Sequence, residues 1–328
     1  MKRASIQFGS APRAVCARRR GAGICRRYTR AVSSPRSVIR ASPISRDDPE
    51  HRFAATEGVY TLYKFCPFST DERRRWVREI LVEHKIYFAR PSQLNDPYDL
   101  RPLVRLRPAL TERELRDRLR ADAEEHWARQ RPPPTAEQLA AYRLRLATID
   151  LQTFERETIE RIRRRLDEHY RIFSLAVDRG AIHMWDDYAD RRRGLCIHFR
   201  SDVSSPFGFA QRVIYQSDRP ELLVPFENLP ERDVADRATL IKTRARWDRE
   251  VEYRLVRYPG LDYSEAGLRF DGDYGYFPAD AITGITVGTD MPEEDRTVVA
   301  AYARQHSPGL RVEVPHLIDR SAMTARRD

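Results

Sequence analysis

Short runs dense in β-branched and aromatic residues, four to seven long and closed off by turn residues or capped helices, recur from Val59 to Val314. Val59–Phe65 alternates as a strand that is half buried, and 86–89, 171–177, 195–199, 212–215, 251–256, 282–287 and 310–314 have the same character. Between them lie segments with helix signals. Ser69-x-x-Glu72 forms a capping box that predicts a helix to about Glu83. Shorter helices are expected at 181–192, with Gly194 as a left-handed cap, and at 231–246 and 293–304. This order gives an α+β fold, a mixed and largely antiparallel sheet with flanking helices.

Residues 111–169 differ. Thr111-x-x-Glu114 and Thr135-x-x-Gln138 are capping boxes on either side of Pro132-Pro133-Pro134, in a stretch dense in Arg, Glu, Leu and Ala. This predicts a helical hairpin inserted at one side of the core, its charges forming a solvated face.

A hydrophobic content of 41% supports one domain over 51–320, preceded by a disordered tail at 1–50. The tail holds 12 Lys+Arg against 3 Asp+Glu, which leaves 47 against 46 of the chain's 59 and 49 for the remainder. The excess charge of +10 therefore belongs almost wholly to the tail. A basic arm for nucleic acid or a transit sequence fits its composition, but an upstream start codon in a GC-rich genome is the favoured reading. The near-neutral remainder does not imply nucleic-acid binding. No apolar stretch has the roughly 20 residues of a membrane span, so a cytoplasmic chain is expected. The four cysteines are scattered, without disulfide or zinc spacing.

Four clusters carry possible chemistry. Asn95-Asp96-Pro97 with Asp99 is a turn whose acceptors suit a ribose hydroxyl, a base edge or a metal. In His183-Met-Trp-Asp-Asp-Tyr-Ala-Asp190, Trp185 and Tyr188 are either core or stacking residues. Asp186 and Asp190 stand four apart in that cluster, and Arg191, Arg192 and Arg193 are expected to answer their charge. Trp247-Asp-Arg-Glu-Val-Glu-Tyr-Arg254 places Glu250, Glu252 and Arg254 on one face of a strand. Tyr63, Lys64 and Ser174 complete the set if the sheet brings them to that face.

At these clusters the chain resembles domain of unknown function 2971, a family of mostly bacterial proteins. The resemblance rests on Leu62-Tyr63-Lys64-Phe65, Leu94-Asn95-Asp96-Pro97-Tyr98-Asp99, Ser174-Leu175, Met184-Trp185 with Tyr188-Ala189, Gly194-Leu195-Cys196-Ile197-His198-Phe199, and Trp247 with Glu250, Glu252, Tyr253 and Arg254. It spans about Tyr60 to Val314. Two departures are Leu94 for the usual Phe, and Arg192-Arg193 where the family commonly carries His.

The order Tyr63-Lys64, Ser174, Glu250-Val251-Glu252 is similar in layout to ADP-ribosyltransferases. That likeness implies a nucleotide-using enzyme with NAD as candidate substrate and Glu252 and Glu250 as catalytic carboxylates. Tyr63, Lys64, Asn95, Asp96, Asp99, Ser174, Trp185, Tyr188, Trp247 and Arg254 would bind substrate, with no resident metal. Alternatives are a metal-dependent nuclease or phosphoesterase using Asp96, Asp99, Glu250 and Glu252, and a non-catalytic binding module in phage defence. All readings require the early turn and the late acidic strand to meet.

Overall fold

The computed structural model describes residues 52–96, 98–224, 239–243, 248–258 and 263–313. The expected tail, Pro97, Trp247, Val314 and most of the helix expected at 231–246 lie outside them.

The fold is α+β. Its main sheet has seven strands, in the order β14(Val312–Glu313), β13(Ile282–Val287), β5(Leu195–Arg200), β1(Thr61–Cys66), β4(Arg171–Ala176), β10(Glu252–Arg257), β6(Gln211–Arg212). Neighbours are antiparallel except β13 and β14. Small sheets flank it: β11(Arg269–Asp271), β12(Tyr274–Tyr276) and β2(Lys85–Tyr87); β3(Leu103–Leu106) with β8(Glu221–Val224); β7(Ile214–Gln216) with β9(Ile241–Thr243). Residues 241–243 are thus extended where a helix was expected. Their parallel partner β7 decides the matter, because strand pairing outweighs a weak local preference.

Alternation of side chains gives the sheet two different faces. Leu62, Phe173, Leu175, Ile197, Phe199 and Leu255 point to one side and pack against Val77, Ile80 and Leu81 of α1(Asp71–Val82). Thr70, rather than Ser69, caps that helix, its hydroxyl accepting from the Arg73 N–H. Ile172 and Val256 face the other side, in a core shared with the helical insertion.

The insertion contains three helices rather than the two of a hairpin: α2(Glu112–Arg129), α3(Ala136–Thr148) and α4(Leu151–His169). Thr111 and Thr135 form the two expected capping boxes. The first two helices bury one residue each, whereas α4 buries Phe154, Thr158, Ile162 and Leu166 at spacings of four, the stripe of a core helix. Short α5(Ile182–Tyr188) covers the middle of the second face, and α6(Glu293–His306) lies beside α1.

Candidate functional site

β1 pairs with β5 over six residues, from Thr61 opposite Arg200 to Cys66 opposite Leu195. It meets β4 at a single pair, Tyr63 opposite Ala176. Beyond that point β1 and β4 part, and the start of β4 is held instead by Ala89, which exchanges two backbone hydrogen bonds of 2.8 and 2.9 Å with Ile172. Backbone polar groups point alternately to the two edges of a strand, so Ser174, between Ile172 and Ala176, turns its N–H and C=O into the gap. The Lys64 Nζ crosses the gap to donate to that carbonyl at 3.1 Å.

A cavity of about 1060 Å³ occupies this fork, with Tyr63–Cys66 on one lip and Ile172–Ala176 on the other. That size suits a nucleotide-sized molecule, at the upper end of the usual range for ligand pockets. Asn95, Asp99, Tyr188, Lys242, Glu250 and Glu252 also line it.

The late carboxylates enter from β10 and the turn before it. Glu250 ends a short 3-10 turn, Asp248–Glu250, and is not part of the strand expected from 251. Val251 has a φ of 45°, a left-handed conformation that a β-branched residue rarely adopts. This reversal lets both flanking carboxylates reach Lys242 Nζ, Glu250 at 3.4 Å and Glu252 at 3.3 Å.

Behind them, Arg254 is fully buried. Its Nη1 and Nη2 donate to the two Asp99 oxygens at 2.9 and 2.5 Å. Its Nε and Nη2 donate to the two Glu252 oxygens at 2.7 and 3.1 Å, and Nη1 also reaches the Thr239 carbonyl at 2.8 Å. The planar fork of arginine suits such bridging, and this buried pairing joins the early turn to the late strand.

The two glutamates are electrostatically distinct. Burial works to raise the Glu252 carboxyl, but Arg254 and Lys242 outweigh it and, with a hydrogen bond to the Ser174 side chain, hold it down to about 2. For Glu250, burial prevails over Lys242 and Tyr188 and raises its pKa. The Tyr188 hydroxyl donates to Glu250 Oε1 at 2.8 Å and accepts from Asn95 Nδ2 at 3.0 Å, linking the early turn to the late acid. Burial, reinforced by Glu250, keeps the Tyr188 phenol protonated well above its ordinary range.

Of the sequence-predicted residues, the cavity gathers Tyr63, Lys64, Asn95, Asp99, Ser174, Tyr188, Glu250 and Glu252. Tyr63 and Ser174 share the Glu252 face of the sheet, through pairs Tyr63–Ala176, Glu252–Ala176 and Arg254–Ser174. Lys64 does not; it stands opposite Ile197 on the other face and enters only because the strands part. Arg254 braces the floor from beneath and is not among the lining residues. Asp96 is also absent from the wall, its Oδ1 accepting from the Tyr98 N–H in an Asx turn at 2.9 Å. Trp185 packs edge-on against Phe65, with ring centroids 5.1 Å apart, and donates to the Arg179 carbonyl, so it is core. Asp186 meets Arg192 at 3.4 Å as expected, but Asp190 pairs with Arg73 at 2.5 Å and accepts the Phe68 and Ser69 N–H groups.

Sequence reasoning missed Lys242, hidden in the segment read as helix. Its signal was compositional, since the chain keeps only four lysines among 59 basic residues. It also missed Trp76, Tyr87, Tyr274, Arg191 and Arg193 among the lining residues, which no local motif distinguishes as such.

Among the described residues no group of three or more His, Cys, Asp and Glu is disposed to hold a metal ion. None of their helices is long and apolar enough to cross a membrane. No family model, curated protein or solved structure matches the chain.

Proposed function

We propose that this chain is an enzyme acting on a ribose-bearing nucleotide, similar in layout to ADP-ribosyltransferases, with NAD the first substrate to test. Membership of domain of unknown function 2971 belongs to the same proposal. The observation that carries the reading is the meeting, in one nucleotide-sized fork, of Asn95, Tyr188, Ser174, Glu250 and Glu252 from four separate parts of the chain.

Polar floor and aromatic wall divide the work. In this reading Trp76 and Tyr87 of the lining stack on the base, the Tyr274 ring being covered by Lys85 at 4.1 Å, and Arg191 and Arg193 meet phosphate oxygens. Glu250 is the catalytic carboxylate in this reading and Glu252 its support, because Glu252 accepts from Arg254 twice and from Lys242, whereas Glu250 has the neutral Tyr188 hydroxyl and Lys242 at 3.4 Å. As the bond from ribose to nicotinamide breaks, its electron pair leaves with the base. Positive charge at the sugar is then stabilised by Glu250, which takes the proton of the incoming nucleophile. The Tyr188 hydroxyl fixes the carboxylate's orientation.

The same contacts give the metal-dependent reading no geometric support. Asp96 faces away, and the oxygens of Asp99 and Glu252 are taken by Arg254.

Calorimetric titration with NAD, ADP-ribose and AMP tests the binding half of the reading. Saturable binding weakened at least about tenfold by Tyr188→Phe or Asn95→Ala, with a cooperative melting transition retained, is expected, since tenfold is about 1.4 kcal/mol, Tyr188→Phe removes two hydrogen bonds and Asn95→Ala removes one. Absence of binding by all three nucleotides contradicts it.

A further inference from the structure

Three lysines reach the cavity, and two of them, Lys85 and Lys242, are answered by carboxylates; Lys85 meets Glu79 at 3.5 Å. Lys242 lies 3.3 to 3.8 Å from the carboxylates of Glu252, Glu250 and Asp99. Lys64 has no carboxylate oxygen within 4.0 Å among the described residues. Its neighbours are the Ser174 carbonyl at 3.1 Å and the face of the Phe173 ring, 4.8 Å from Nζ to the centroid. An ammonium group has three N–H donors, and the half-buried Lys64 finds one carbonyl and one ring around it. Burial accordingly lowers the Lys64 pKa, opposed only in part by Cys66 and Glu252. A deprotonated lysine carries a free lone pair, the requirement for a nucleophilic amine.

The position of Lys64 adds the second requirement, access. Had β1 and β4 stayed paired, a residue on this face would be sealed in the core beside Leu62 and Phe173. The parting of the strands after Tyr63 instead puts Lys64 in the wall of the cavity, with Arg191 and Arg193 in the same wall.

We propose that Lys64 is a covalent site for small aldehydes or ketones bearing a carboxylate or phosphate, which it binds as an imine. The Nζ lone pair forms a bond to the carbonyl carbon while the C=O π pair moves to oxygen. The two Nζ protons leave with that oxygen as water, and the lone pair then remaining on Nζ completes the C=N double bond. No oxidant or further reactant is consumed. The anionic group of the ligand would lie against the arginines of the wall. This inference rests on the fork and not on the nucleotide reading, because it needs neither Glu250 nor a nucleotide.

The test is reductive trapping on the full chain. Glyoxylate and, separately, formaldehyde are added with cyanoborohydride at neutral and mildly acid pH, and modified lysines are mapped by mass spectrometry. With only Lys2, Lys64, Lys85 and Lys242 present, site assignment is direct. The expected result is Lys64 labelled at least about tenfold faster than Lys85, since an ordinary lysine is almost wholly protonated at these pH values. Lys64→Arg should lose that adduct while retaining the melting transition, and Lys64→Gln provides a second folded control. Labelling of Lys85 and the N-terminus with Lys64 unmodified by either probe overturns the proposal. Equal labelling of Lys64 and Lys85 does so as well, since Lys85 is paired with Glu79 at 3.5 Å and Lys64 would then react no faster than an ion-paired lysine in the same cavity. Neither outcome bears on NAD.

Discussion

Arg254 has no exposed surface, yet it is charged, and its tolerance depends on Asp99 and Glu252 taking four of its hydrogen bonds. Removing one partner from such a group leaves the others as uncompensated buried charges, a loss of about 3 to 5 kcal/mol. Arg254→Met should therefore lower the unfolding free energy from urea titration by that amount, and Arg254→Lys should recover little, because one ammonium cannot bridge two carboxylates in a plane. A midpoint unchanged in Arg254→Met contradicts the strut. His198 supplies a pH prediction. It is buried between Tyr63 and Thr286, its Nε2 lying 2.9 Å from the Thr286 hydroxyl, and burial lowers its pKa from 6.5 to about 4. Below 6.5 the unfolded chain binds this proton and the folded chain does not, so stability falls between 6.5 and about 4, by on the order of 3 kcal/mol from this residue. His84 and His306, also lowered by burial, add to the same limb. Thermal melting of His198→Gln across that range should show a shallower acid loss than the parent; parallel curves would remove His198 as a cause.

Elements enter through their ends. The helix expected to close on Gly194 ends at Tyr188, and the left-handed residues that follow are Asp190, Arg191 and Arg192, with φ of 50°, 54° and 67°. Gly194 is required for a different reason: a Cβ there would stand 2.2 Å from the Cys66 carbonyl oxygen and 3.0 Å from the Ala189 backbone. Sequence indicated a glycine at this place, but the type of constraint depends on a strand edge over a hundred positions away and was not legible locally. Gly194→Ala should cost about 2 to 3 kcal/mol by overpacking. Gly272→Ala, left-handed at 56° with nothing within 4 Å, should cost about 1 kcal/mol from backbone conformation alone. Chemical denaturation of the pair separates the two mechanisms, and equal losses would contradict the close approach. Val251 belongs to the same class of feature, since nothing in Glu-Val-Glu announces a left-handed valine between two cavity carboxylates.

At the scale of the molecule, strands with strong alternation were readable because pairing and burial agree with local preference, as in β1, β4, β5, β10 and β13. The three-helix form of the insertion was less so. Its first two helices bury one residue each, and α4 reveals its role only through the Phe154-Thr158-Ile162-Leu166 stripe. Deleting residues 112–148 should leave a cooperative fold with its cavity, while truncation of α4 should expose the second core and abolish cooperative unfolding. Of the candidate site, every reading required the Asn95 turn and the Glu250 segment to meet, which sequence left open and Tyr188 now links; the gap between β1 and β4 had no signal at all, because strand separation is a property of the whole sheet and has no local signature. The proposal that the fork is a nucleotide site rests on the residues meeting there, and nicotinamide release from NAD by the full chain and by Glu250→Gln tests it most directly. The account predicts release by the parent and a loss of at least about a hundredfold in the variant, within the usual contribution of a positioned acid or base, with melting preserved. No release by the parent, or equal release by the two proteins, contradicts it.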